Sequence, residues 1–169
     1  MEFRDLLRAR YSVRAYKPDA VEEEKLLAVL EAARLAPTAA NRQAFQLIVI
    51  RTQGRSDELR RIYGKPWFAE APLVIAACGV SGESWVRRDG HNYVDVDTAI
   101  VMDHLILAAA DLGLGTCWIG AFDPVAATEL LGLPPGVQPI AFTPLGYPAD
   151  EPREKQRKPL SELVRSERW

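Results

Sequence analysis

Four short groups of residues have the types and spacing to do chemistry. In Arg10-Tyr11-Ser12-Val13-Arg14, an extended backbone would put Arg10, Ser12 and Arg14 on one side, because side chains alternate along a strand. Two guanidiniums flanking a hydroxyl suit a phosphate or another planar anion, since each offers a fork of charged N–H donors. A solvated edge segment would look the same. Pro37-Thr38-Ala39-Ala40-Asn41-Arg42-Gln43 reads as a loop of small residues carrying two side-chain amides two positions apart. Each amide presents a donor and an acceptor, which matches the edge of a heterocycle such as a pyrimidine, although loop-capping hydrogen bonds would use the same groups. In Trp118-Ile119-Gly120-Ala121-Phe122-Asp123 a strand ends in two small residues, which would let a flat ligand approach backbone N–H groups or simply make a tight turn. Lys155-Gln156-Arg157-Lys158 is cationic, and is either solvated or part of an anion site.

Several other chemistries find no support. No glycine-rich phosphate motif follows a strand pattern, so any phosphate must be held by side chains. Cys78 and Cys117 lack the clustered partners of a metal site and read as buried apolar thiols, which fits a reducing cytoplasm. No Ser-His-Asp or paired-carboxylate arrangement stands out. With 21 Lys plus Arg against 23 Asp plus Glu, the net charge of −2 leaves no footprint for nucleic acid or an anionic membrane. The charged start, Met1 to Asp5, is unlike a secretory signal, and the apolar stretch from Leu105 to Gly120 is broken by Asp111 and glycines. A cytoplasmic protein is expected.

The 169 residues, 48% hydrophobic and 26% charged, suit one globular domain over 1–169. Helix patterns cover residues 2–9, 22–35, 56–63, 98–112 and 124–131, and strand patterns cover 45–51, 73–80, 116–119 and 137–145. In the second helix Leu26, Leu27, Leu30 and Ala33 form the expected apolar face. The helix from Thr98 to Leu112 is apolar around most of its circumference, so it needs cover on several sides, and a second copy of the chain could supply it. His104 on that helix is expected to be a packed structural residue. Asp123-Pro124 has the form of an N-cap with Pro at the first helical position.

Taken together and in order, these segments resemble the nitroreductase family of FMN-dependent oxidoreductases, in a short form. The resemblance rests on Arg10-x-Ser12-x-Arg14, the Pro37 to Gln43 loop, the Leu-Gly-Leu-Gly run leading to Phe122-Asp123, Pro144 to Pro148, and Lys155-x-Arg157. It departs from the family pattern at Ala44-Phe45, where Pro-Trp is frequent, and at Gly120, where larger relatives often carry Glu. The resemblance implies an α+β, three-layer fold with a mainly antiparallel central sheet flanked by helices, working as a homodimer. It implies that Arg10, Tyr11, Ser12, Lys155 and Arg157 bind the FMN phosphate and ribityl chain, and that Arg14, Thr38, Asn41 and Gln43 meet the pyrimidine end of the ring. Gly120 and Ala121 would lie beside the central ring, and its cover would come from segments such as 65–68 or 81–93; Trp67, Phe68, Trp85 and Tyr93 are available to line that space, although core packing is the expected role of any single one. NADH or NADPH would donate electrons, and a small-molecule acceptor such as a nitroaromatic or quinone would take them. A dehalogenase or flavin-processing enzyme, or a flavin-binding module without turnover, is the alternative on the same fold.

Overall fold

The computed structural model describes residues 1–169. Its elements run α1 (Phe3–Ala9), α2 (Glu23–Arg34), β1 (Phe45–Arg51), α3 (Ser56–Ile62), α4 (Pro66–Glu70), β2 (Leu73–Val80), α5 (Val94–Asp111), β3 (Gly115–Thr116), α6 (Pro124–Leu131), β4 (Val137–Gly146) and α7 (Leu160–Leu163). The four strands form one antiparallel sheet in the order β1-β2-β4-β3.

Alternation along the central strands builds three layers. Leu73, Ile75 and Ala77 of β2 point to one face and pack with Leu26, Val29 and Ala33 of α2 and Val101, Met102 and Leu105 of α5. Val74, Ala76 and Cys78 point to the other, against Leu59 and Ile62 of α3, Phe68 of α4 and Ala127 of α6. Since β2 is covered on both faces, its seven residues from Leu73 to Gly79 are all buried, and the strand reads as a continuous apolar run. A bulge between Ala77 and Cys78 skips Ile140, so Pro139, which has no N–H to give, sits at the irregularity.

Most expected elements stand where the patterns put them, and the differences have local causes. In α2 the buried residues are Leu26, Val29 and Ala33, whereas Leu27 is 57% exposed; the inward stripe follows i, i+3, i+7 from Leu26. Helix α5 begins at Val94, ahead of the apolar run at Thr98, because Asp95 and Asp97 occupy its first turn, where the helix dipole favours acids. The third strand is only Gly115–Thr116, with Ile119 making an isolated bridge to Phe142. Helix α4 had no expected counterpart in the segment offered as ligand cover, and Phe68 there takes the core role expected of a single aromatic, fully buried between Tyr63 and Phe142 in edge-to-face packing. Asp123 caps α6 as expected, accepting from the N–H groups of Val125 and Ala126.

Candidate functional site

The segment after α1 is laced into the sheet edge by backbone hydrogen bonds. The Val13 N–H donates to Thr116 O at 2.9 Å, the Lys17 N–H to Tyr147 O at 2.8 Å and the Ala149 N–H to Ala15 O at 2.9 Å, with Ser12 bridging Thr116 in parallel. This extended path has the expected alternation: Val13 is 1% exposed, and Arg14 beside it faces solvent. Gly115 is required opposite Val13, because a Cβ there would lie 2.7 Å from Val13 Cγ2.

The chain end then returns to this segment. Lys155 Nζ donates to Leu7 O at 2.6 Å, at the last turn of α1. The result is a cleft of about 850 Å³ whose walls include Arg10, Tyr11, Ser12, Arg14, Lys155 and Arg157. Residues from opposite ends of the chain thus share one cation cluster. Partial burial lowers the Lys155 ammonium below the ordinary lysine range, and the nearby charges of Arg10 and Arg157 push the same way. Arg10, Lys155 and Arg157 form no ion pair with a carboxylate. Asp150, Glu151 and Glu154 line the same cleft, but none of them pairs with Arg10, Lys155 or Arg157, so these three side chains keep charged donors for an anionic ligand such as a phosphate.

Asp150, which the sequence did not single out, organises the cleft floor. Its Oδ2 accepts the Arg14 N–H at 2.8 Å, and its carbonyl accepts the Tyr11 hydroxyl at 2.7 Å. Desolvation first, then the Asp150 charge, pushes the Tyr11 phenol up to about 12, so Tyr11 stays a neutral donor. The Arg14 guanidinium donates to Ser12 O at 3.2 Å and pairs with no acid. Beneath them the Cys117 thiol is pushed up by burial, while Arg14, the Ser12 hydroxyl and Arg10 pull it the other way.

The remaining candidates lie outside this cleft. Ala40, Asn41 and Gln43 have φ of 50°, 53° and 53°, a left-handed run without glycine that costs on the order of 1 kcal/mol or more per residue. The loop is exposed, the Asn41 side-chain amide is unpaired, and the Gln43 amide reaches only Asn41 O at 3.3 Å. Thr38 supports the loop by accepting the Gln43 N–H on Oγ1 at 3.0 Å. Just past the Ile119 bridge to Phe142, Gly120 and Ala121 are exposed, neither N–H donates within the chain, and a Cβ on Gly120 would meet open space. Gly120 is therefore not there for packing. A single chain assembles the cation cluster and leaves the amide loop and the Gly120-Ala121 donors as separate exposed groups. Trp85 and Tyr93 stack edge to face at 4.9 Å, and His91 lies against Tyr93. His104 Nδ1 lies 3.1 Å from Ile100 O, one turn back along α5.

The sequence model of the nitroreductase family matches residues 7–65 and 59–147, a span that holds most of these groups. The crystal structure of a nitroreductase family protein from Clostridium difficile 630 is 39% identical, covers 100% of both chains and superposes with a TM-score of 0.90. An FMN reductase [NAD(P)H] of Bacillus subtilis (strain 168) is 29% identical over 94% of this chain and 70% of its own. An NADH dehydrogenase of Thermus thermophilus is 30% identical over 92% of this chain and 91% of its own. The chain belongs to the nitroreductase family.

Proposed function

We propose that the chain is an FMN-dependent oxidoreductase that passes electrons from NAD(P)H to a small acceptor such as a nitroaromatic or a quinone. The observation that carries this reading is the cluster of Arg10, Lys155 and Arg157, none of them paired with a carboxylate, beside the Ser12 hydroxyl, in a chain whose relatives include an FMN reductase [NAD(P)H]. FMN supplies hydride and electron chemistry when bound. Arg10, Ser12 and Arg157, helped by Lys155 and Tyr11, hold its phosphate and ribityl chain. Arg14 brings a permanent positive charge to the pyrimidine end, where Thr38, Asn41 and Gln43 supply hydrogen bonds. Gly120 and Ala121 offer their free N–H groups to the ring.

A homodimer completes this arrangement. Val96, Ile100 and Leu107 leave an apolar stripe of α5 partly in solvent, and Leu160, Leu163, Val164 and Trp169 are exposed on the terminal segment. A second copy covers both, and it brings its own amide loop to the cleft. No helix is long and apolar enough to cross a membrane, and the two free cysteines suit the cytoplasm.

One site serves donor and acceptor in turn, which gives ping-pong kinetics. Initial rates at several NADH or NADPH and acceptor concentrations test this, with nitroaromatic and quinone acceptors compared. Parallel double-reciprocal lines are expected. Intersecting lines, or no oxidation of either nicotinamide, would overturn the reading.

A further inference from the structure

Only one hydrogen bond ties the loop of residues 38–43 to an element distant in sequence: the Ala39 N–H donates to Asp97 Oδ1 at 3.0 Å, across 58 positions. The bonds that shape the loop are its own. The Asn41 N–H donates to Thr38 O at 2.9 Å, the Arg42 N–H to Ala39 O at 3.1 Å and the Gln43 N–H to Thr38 Oγ1 at 3.0 Å. These closures fold the loop on itself; its trailing end is held just beyond Gln43, where the Val80 N–H donates to Ala44 O at 2.9 Å, and the Ala39 bond is the one that ties its leading half. Its left-handed residues, Ala40, Asn41 and Gln43, persist only if the surroundings hold them there.

Asp97 lies in the first turn of α5, is 2% exposed, and its Oδ2 has no partner. The helix dipole at this first turn offsets part of the cost of burying a carboxylate, but a single hydrogen bond leaves the other oxygen unsatisfied, which is unfavourable. The position makes sense if the bond to Ala39 matters more than the local cost.

We propose that Asp97 is a positioning residue, which fixes the loop so that Asn41 and Gln43 meet the pyrimidine edge of the flavin. It rests on the flavin reading above. Asp97 touches no reacting atom; it acts through the Ala39 amide.

The test compares Asp97→Ala and Asp97→Asn with Thr52→Val. Thr52 is also buried and its hydroxyl also ties to backbone, at Ala71 O, but at the opposite end of β1 from the loop. Melting temperature, FMN affinity, flavin midpoint potential and hydrogen exchange at the Ala39 amide are measured for each. Asp97→Ala is expected to weaken FMN binding at least tenfold, shift the potential and speed Ala39 exchange. Asp97→Asn, which keeps an acceptor at Oδ1, should restore most of the affinity. Thr52→Val should lower the melting temperature and leave FMN affinity and potential unchanged. The role of Asp97 is refuted if Asp97→Ala keeps the wild-type affinity and potential, or if Thr52→Val loses as much. Should Asp97→Ala not fold, Asp97→Asn decides by its Ala39 exchange and FMN affinity: rescue supports the role, and rapid Ala39 exchange already in the wild type contradicts it. A wild-type protein that takes up no flavin sinks the flavin reading itself, whereas flavin uptake unaffected at Asp97 sinks only this inference.

Discussion

The proposed function gives its most specific prediction at Arg14. Its guanidinium rests on the Ser12 carbonyl, and the nearby Asp150 carboxylate is engaged by the Arg14 backbone N–H instead of forming an ion pair. The charge is therefore left to act on whatever occupies the cleft. Reduction adds negative charge to the pyrimidine end of a flavin, so a cation there favours the reduced form. Arg14→Met, which keeps much of the stem, should lower the FMN midpoint potential and slow reduction by NAD(P)H, as a redox titration beside wild type would read; equal potentials would remove Arg14 from the mechanism. Arg10→Ala and Arg157→Ala act on binding instead. Each deletes a charge-assisted contact worth roughly 1.5–3 kcal/mol, or about ten- to a hundredfold in FMN affinity by calorimetry. Wild-type affinity at low salt would return that residue to solvent.

The buried thiols give a prediction of pH dependence. Burial pushes Cys78 up to about 11 and raises Cys117 as well. The neutral form is the one the fold favours, so this contribution to stability is complete below the ordinary thiol pKa and is lost as pH rises through the raised one. Native protein at pH 8 should react with a thiol reagent far more slowly than unfolded protein, which should release two equivalents. Rapid native labelling would show that the thiols are accessible.

At the scale of elements, what could be read from sequence follows the strength of the local pattern. Strands β1 and β2 fall at the expected bounds because their Ile and Val runs are closed by polar or Pro and Gly residues, and α6 because Asp123-Pro124 marks its start. Other features had no local signal. The left-handed turn at Ala40 carries no glycine to announce it, and Asp97 is one aspartate among several until the fold brings it to the Ala39 amide. Asp150 likewise acquires its role only when the sheet edge meets the Arg10 segment. The candidate cations and hydroxyl stood out by type and spacing; that Arg10, Ser12, Lys155 and Arg157 share one cleft came only from the family resemblance, because no local pattern links residues from opposite ends of the chain. Gly115→Ala tests how the element holds the site. Its Cβ would press on buried Val13, so stability should fall by about 1–3 kcal/mol and FMN affinity with it, since Val13 sits between Ser12 and Arg14. Thermal denaturation and FMN titration of the variant would check both; an unchanged melting temperature would mean that Val13 yields without cost.

At the scale of the whole molecule, one chain has a cation cluster at one place, an amide loop at another and a pair of free backbone donors at a third. Light scattering of the flavin-loaded protein should return the mass of two chains, and a stable loaded monomer would leave the amide loop without the role assigned to it. Whether these groups hold FMN for electron transfer is read from the visible spectrum of the purified protein, recorded before and after anaerobic addition of NADH or NADPH, with the cofactor then released by heat and identified by chromatography. The purified protein is expected to be yellow, its flavin band bleached by the nicotinamide and its released cofactor FMN. A colourless protein that does not take up added FMN, or a bound flavin that neither nicotinamide reduces, would contradict the proposed function.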